Sequence, residues 1–375
     1  MKQHFLNNVK NIYGWNTKRK IVVISVDDYG NVRLDNKKAR KKMDIAGLKV
    51  LSRFDAFDTL ETKEDLEMLY EALSCVKDKN NKSAVFTPFA LPCNINFEAM
   101  VEDGYKDYIY ELLPETYQKI EADDPKAYKG AWKLWQEGIK NGLMQPQFHG
   151  REHLNLKIFK EKLDQNEHEI LVALQNRSYT SISNSTYETI NYTAAFDFWN
   201  IKENDSFKAI IEDGLNQFEK VYGYRSTHFN PPGGREHQVI HQALKNSGIK
   251  FLDTPLVKYE HQGKGKYKKT LNFTGKKNHL GMTYQVRNVV FEPTHDRGFD
   301  WVNYAFKQVE AAFRWNRPAI ISSHRVNFCG HIDPKNRRIG INALKELLKK
   351  IVQKWPDVEF MSSVELGELI AKQLP

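Results

Sequence analysis

Ile21-Val22-Val23-Ile24-Ser25-Val26-Asp27-Asp28-Tyr29-Gly30 is the stretch that decides how this chain is read. Five of its first six residues are apolar and all five are β-branched, the composition of a strand buried on both faces. Two adjacent acids then close the run. A strand buried on both faces belongs to a parallel sheet covered by helices, and ligands gather at the carboxyl ends of such strands. The double aspartate therefore sits where chemistry is expected.

Similar runs recur along the chain. Strands are predicted at Lys20–Val26, Ala84–Leu91, Gln145–His149, Arg225–Phe229, Lys250–Thr254, Val286–Phe291, Ala319–Ser323 and Val358–Met361. Helical patterns lie between them at Lys63–Val76, Leu154–Gln175, Ser206–Tyr222, Glu236–Ser247, Val302–Trp315 and Lys335–Lys354. Strands alternating with helices imply parallel pairing. Seven or eight such units favour a closed or nearly closed barrel, so the fold expected is a distorted (β/α) barrel of about seven parallel strands. No internal repeat or low-complexity linker divides residues 1–375, which are read as a single domain. Residues 99–142, rich in Tyr, Trp, Glu and Lys, read as a helical insertion. Residues 258–279 hold seven lysines and three glycines and read as a loop or hairpin, either a solvated face or a grip on a phosphate-bearing substrate.

With 375 residues, 41% of them hydrophobic, the chain can bury a sizeable core. Its 56 basic residues against 47 acidic ones give +9, which suits acidic partners, but a diffuse lysine excess is no nucleic-acid footprint. Cys75, Cys93 and Cys329 form no CxxC, so neither a disulfide framework nor a thiolate zinc site is indicated. The first 20 residues lack the apolar core of a secretion signal, and no apolar window is long enough to cross a bilayer. A cytoplasmic location is expected; the oligomeric state is not legible.

Four predicted strands end in residue types that bind metal or move protons. The first ends in Asp27-Asp28. Gln145–Phe148 runs into His149-Gly150-Arg151-Glu152-His153, Arg225–Phe229 into Asn230-Pro231-Pro232-Gly233-Gly234, and Ala319–Ser323 into His324-Arg325. HxxxH sets two imidazoles one helical turn apart, close enough to share an ion, though two surface histidines would show the same spacing. A carboxylate from the first strand completes a three-donor set with an open position, the pattern of a catalytic divalent metal. Nitrogen and oxygen donors fit Zn²⁺ and also Co²⁺, Ni²⁺, Mn²⁺ or Fe²⁺. Alternation along a strand lets one aspartate face the metal while its neighbour turns elsewhere. His324 is placed to donate a proton. The turn at Asn230, Pro231 and Gly233 lets backbone approach a substrate closely. The polar cluster His295, Asp296, Asp300 and Trp301 ranks below these.

The order of these motifs resembles the polysaccharide deacetylase superfamily, of the NodB-homology or carbohydrate esterase family 4 type. Its Asp-Asp, His-[Ser/Thr]-x-x-His, Arg-Pro-Pro-aromatic-Gly and late strand-end histidine correspond here to VDDYG, HGREH, FNPPGG and IISSH, spanning roughly Lys20 to Leu369. Asp-Asp-Tyr-Gly is also similar to the Asp-Asp-Phe-Gly of the chitooligosaccharide-deacetylase-like hydrolases. The resemblance implies metal-dependent hydrolysis of an N- or O-acetyl group on a saccharide or sugar conjugate. By it Asp27 is the general base, Asp28, His149 and His153 are the metal ligands, and His324 is the general acid. The sequence departs from the pattern at Gly150 and at Asn230. The second replaces the arginine that orients the base, which leaves Arg151, Arg235 or Arg325 to serve, with Tyr29 as a further contact. The alternatives are an amidohydrolase acting on a non-acetyl amide and a non-catalytic sugar-binding relative using Tyr29, Trp132, Trp135 and Trp301.

Overall fold

The structure is a computed structural model that describes residues 2–184 and 187–374. Eight parallel strands form a ring: β1 (Lys20–Tyr29), β2 (Phe86–Ala90), β3 (Gln147–Phe148), β4 (His228–Phe229), β5 (Phe251–Asp253), β6 (Thr283–Gln285), β7 (Val289–Val290) and β8 (Ala319–His324). Their hydrogen-bonded order runs β6-β5-β4-β3-β2-β1-β8-β7, which is the chain order taken in a circle. A ninth strand, β9 (Val358–Met361), pairs with the first half of β1, Lys20 to Val23. The fold is a distorted (β/α) barrel, with eight ring strands where about seven were expected.

The two ends of that row, β6 and β7, are consecutive in the chain and joined by Val286-Arg287-Asn288 alone. At 3.8 Å per residue Gln285 and Val289 lie within about 15 Å, so the connecting peptide itself bridges the seam. The segment before β1 lies over this seam. Asn288 Nδ2 donates to Asn11 Oδ1 at 2.8 Å, and Trp15 N–H donates to Thr274 O at 2.7 Å.

Strand β1 is the axis of the core. Ile21, Val22, Val23, Ile24 and Val26 are each at most 1% exposed. Val22, Ile24 and Val26 face the large cluster under the outer helices, while Ile21 and Val23 pack with Ile320, Leu366 and Ile370. Burying a side chain of this size is worth about 1.5–3 kcal/mol. Leu366 and Ile370 belong to the last helix, Ser363–Gln373. Ser363 takes a hydrogen bond from Gln285 Nε2 on β6 at its carbonyl, donates its N–H to Thr87 on β2, and meets His228 Nδ1 on β4 at 2.9 Å. Three strands of the ring reach one residue only from inside, so this helix closes the barrel floor and leaves the other end as the mouth.

Predicted helices match except in detail: Leu154–Gln175 is two helices, Leu156–Asp164 and His168–Gln175, with Asn166 at φ +50° between them. Residues 97–140 contain four short helices, and the lysine-rich stretch forms an antiparallel hairpin, Val257–His261 with Tyr267–Leu271.

Candidate active site

Strand alternation would send the Asp27 and Asp28 side chains to opposite faces. They line one cavity instead, of about 630 Å³, together with Arg33, Phe54, His149, His153, Asn230 and His324. The reason is an irregularity at the strand end. The β1–β2 register shifts between Val26 and Tyr29, and Asp28 adopts φ +76°. A bulge of this kind re-aims side chains, and a non-glycine residue in the left-handed region costs of order 1–3 kcal/mol, held here by the surrounding sheet. Gly30 follows at φ +73°; a Cβ there would lie 2.8 Å from Leu91 O, so no larger residue fits.

Asp28 is 2% exposed, with Oδ1 2.9 Å from His153 Nε2 and 3.5 Å from His149 Nε2. One donor atom from each of the three lies within 4.8 Å of the others. His149 Nδ1 donates to the Asn230 carbonyl at 2.8 Å, so its Nε2 carries the lone pair. That nitrogen is buried and has no hydrogen-bond partner. Burial alone would favour a neutral Asp28, but Arg33 and His153 outweigh it and hold the carboxyl well below its ordinary range. Burial pushes the His153 imidazole below its usual value, against the pull of Asp28. An ionised carboxylate, the His153 imidazole held low by burial and an idle imidazole nitrogen on His149 suit a divalent cation.

The HxxxH pair meets by a different route from the one expected. Residues 149–153 are loop rather than helix, with Gly150 at φ +100° and the two rings 5.2 Å apart. A Cβ at Gly150 would press on Glu152 O at 3.0 Å and Pro232 Cγ at 3.1 Å. This explains glycine where the related motif has Ser or Thr.

Asp27 stands opposite His324 in the β1–β8 register. Arg287 grips it with both terminal nitrogens, Nη2 to Oδ1 at 2.7 Å and Nη1 to Oδ2 at 2.8 Å, and Asn230 Nδ2 donates to Oδ1 at 2.7 Å. Arg287 is itself held by Asp253 at the end of β5, Nε to Oδ2 at 2.7 Å. His324 Nε2 lies 3.9 Å from Asp27, and its Nδ1 meets Glu292 Oε1 at 2.6 Å. Burial works against the imidazolium, yet Glu292 overrides it and raises His324 to about 9. The same pairing outweighs burial of Glu292 and lowers that carboxyl to about 2. Arg53 and Asn327 complete the shell around Glu292.

Sequence reasoning missed Arg287 and Glu292, although both carried a signal. Arg287 is a charge inside the predicted buried strand Val286–Phe291, and Glu292 is the residue immediately after it. The arginines offered for the orienting role lie elsewhere. Arg151 pairs with Glu152 and Asp213. Arg325 is wholly buried against Asp58 and Glu61, and Arg235 sits over the Tyr267 ring at 5.5 Å. None of the three lines the cavity. Tyr29 is 1% exposed and packs edge-on against Phe86 and Trp135, so it is a core residue. Trp132, Trp135 and Trp301 also lie away from the cavity, whose aromatic residues are Phe54, Tyr179 and Tyr192. Pro231 and Gly233 are in its wall as expected, with Gly233 at φ +65°.

No family model and no curated protein matches the chain. Its structural neighbours include polysaccharide deacetylases. A polysaccharide deacetylase structure from Mycobacterium smegmatis aligns at 10% identity over 96% of this chain and 93% of that one, TM-score 0.45. A GH57 branching enzyme from Thermococcus kodakaraensis aligns at 12% over 94% and 71%, TM-score 0.47. A family 4 acetyl xylan esterase from Clostridium thermocellum, solved with a cobalt ion, aligns at 10% over 95% and 93%, TM-score 0.35. These proteins carry different activities.

Proposed function

We propose that the protein is a metal-dependent hydrolase that removes an acetyl group, N-acetyl before O-acetyl, from a saccharide or sugar conjugate. The observation that carries this reading is the buried, unpartnered His149 Nε2, facing Asp28 and His153 in the cavity that also holds Asp27 and His324. Asp28, His149 and His153 would hold the ion, with Zn²⁺ the best match to two imidazoles and a carboxylate and Co²⁺, Ni²⁺, Mn²⁺ or Fe²⁺ also compatible. When bound, a divalent ion supplies Lewis acidity toward a carbonyl and eases deprotonation of water.

The chain's own groups then divide the proton work. Asp27, fixed by Arg287 and Asn230, takes the proton of the attacking water. His324 holds a proton at neutral pH because Glu292 raises it to about 9, and it protonates the departing nitrogen as the C–N bond breaks. Acetate and a free amine are the products. Backbone at Gly233 can approach the carbonyl oxygen, and the partly exposed Phe54 ring in the cavity wall can pack against a sugar. The test is acetate release from a panel of N-acetyl sugars, run on wild type beside Asp27→Asn. Turnover lost with metal retained supports the reading. Release of another product would point to a different amide, and sugar binding without any turnover to a non-catalytic relative.

A further inference from the structure

Two long stretches of this chain carry no acid. Residues 1–26 contain neither Asp nor Glu, nor do residues 261–291, in a chain with 47 acids. The second stretch holds six lysines and Arg287, and Lys264, Lys266, Lys268 and Lys269 are exposed.

The fold sets the two stretches side by side. Trp15 bonds to Thr274, and the Tyr13 and Phe273 rings lie 6.4 Å apart. Tyr13, Leu256 and Phe273 share one crevice, and from Leu256 the hairpin continues the surface, with Val257 opposite Leu271 and Tyr259 opposite Lys269. Along this strip large apolar side chains stand in water. Phe5 is 66% exposed and Tyr13 61%, with Leu6 and Ile12 between them and Tyr259 and Leu271 on the hairpin. Large exposed apolar side chains gathered on neighbouring segments mark an interaction surface.

Its chemistry selects the occupant. Apolar side chains flanked by exposed lysines, with the hairpin's own acid, Glu260, buried against Lys258, match the boundary between acyl chains and anionic headgroups. A nucleic acid would engage the lysines and leave Phe5 and Leu6 in water. Among the described residues no helix is long and apolar enough to cross a membrane, so the contact is with a surface. We propose that this strip docks the protein on an anionic membrane, with the apolar side chains at the headgroup boundary and the hairpin lysines against lipid phosphates. The hairpin leaves the carboxyl end of β5, the end that carries the mouth, and Arg235 packs over its Tyr267. The inference is independent of the reaction proposed above.

Co-sedimentation of the full chain with vesicles tests it. Vesicles of phosphatidylcholine alone are compared with vesicles containing about one third phosphatidylglycerol, at low salt and at about 0.5 M NaCl, where screening reaches within a few ångströms. Binding is expected to the anionic vesicles at low salt, and at least about tenfold weaker binding in the other conditions. Two variants separate the halves of the strip: Lys264→Gln with Lys266→Gln, Lys268→Gln and Lys269→Gln, and Phe5→Ser with Leu6→Ser. Each is expected to lower binding about tenfold with the circular dichroism unchanged. Absence of binding, equal binding to neutral vesicles, full release by inorganic phosphate, or variants that bind like wild type would overturn the proposal. So would a dimer that forms through the strip in solution and excludes vesicles.

Discussion

Asp27 and Asp28 are neighbours in sequence and share a cavity, yet the two halves of the mouth are built differently. On the Asp27 side every proton-handling group has a positioned partner. Arg287 and Asn230 hold the carboxylate, and Glu292 holds His324. On the Asp28 side three donor groups converge and polar nitrogens are left over: His149 Nε2 and His153 Nδ1 are buried without partners. A buried polar atom without a partner costs roughly 1–3 kcal/mol, so a fold keeps it where something else supplies the missing bond. In the proposed reaction the partnered half would handle the protons and the unpartnered half would hold the ion.

The comparison breaks most severely at His149. His149→Ala should lose both bound metal and turnover, to background, in metal analysis and acetate assays of the same preparation. Asp27→Asn should keep the metal and lower kcat by about 10²–10⁴-fold, the usual worth of a positioned base. Arg287→Ala acts through Asp27 and should reduce kcat by roughly 10–100-fold, again with metal retained, as other orienting residues do. If Arg287→Ala instead released the metal, the two halves would not be separable.

Glu292→Gln sharpens the acid side. His324 must be protonated to act, so activity should fall as pH rises through about 9 in the wild type. Without Glu292 that alkaline limb should move toward the ordinary histidine value, about 6.5. The stabilising contribution of the pair follows the same sign. It is full between the unfolded glutamate and histidine values, about 4.3 and 6.5, and is lost as pH rises through about 9 or falls toward about 2, which thermal melts across that window can follow. An unmoved alkaline limb would remove His324 from the mechanism. The smallest effect is expected for Tyr29→Phe, which should leave kcat unchanged because that ring packs in the core.

Much of the architecture was legible because β1 is so one-sided in composition. Five β-branched residues announce a doubly buried strand, and the polar endings of the strands then place the mouth. Thr283–Gln285 was not legible. Three residues show no periodicity, and this strand is defined by pairing with Phe251–Asp253 rather than by its own pattern. The histidine pair was legible as a pair, but its helical geometry was wrong because Gly150 takes a conformation that a helix does not contain. Asp28 shows the same limit. Alternation predicted opposite faces, and a bulge that depends on the partner strand put both carboxylates in one cavity. Arg287 reaches Asp27 from 260 residues away. That contact depends on the barrel seam, which exists only once the ring has formed.

The most direct measurement is the divalent metal content of the purified chain, by plasma mass spectrometry, for wild type, Asp27→Asn and His149→Ala. About one ion per chain in the first two and none in the third is predicted for a three-donor site of this kind. A folded wild type that takes up no ion when zinc is supplied, or a His149→Ala variant that holds as much as wild type, would contradict the account.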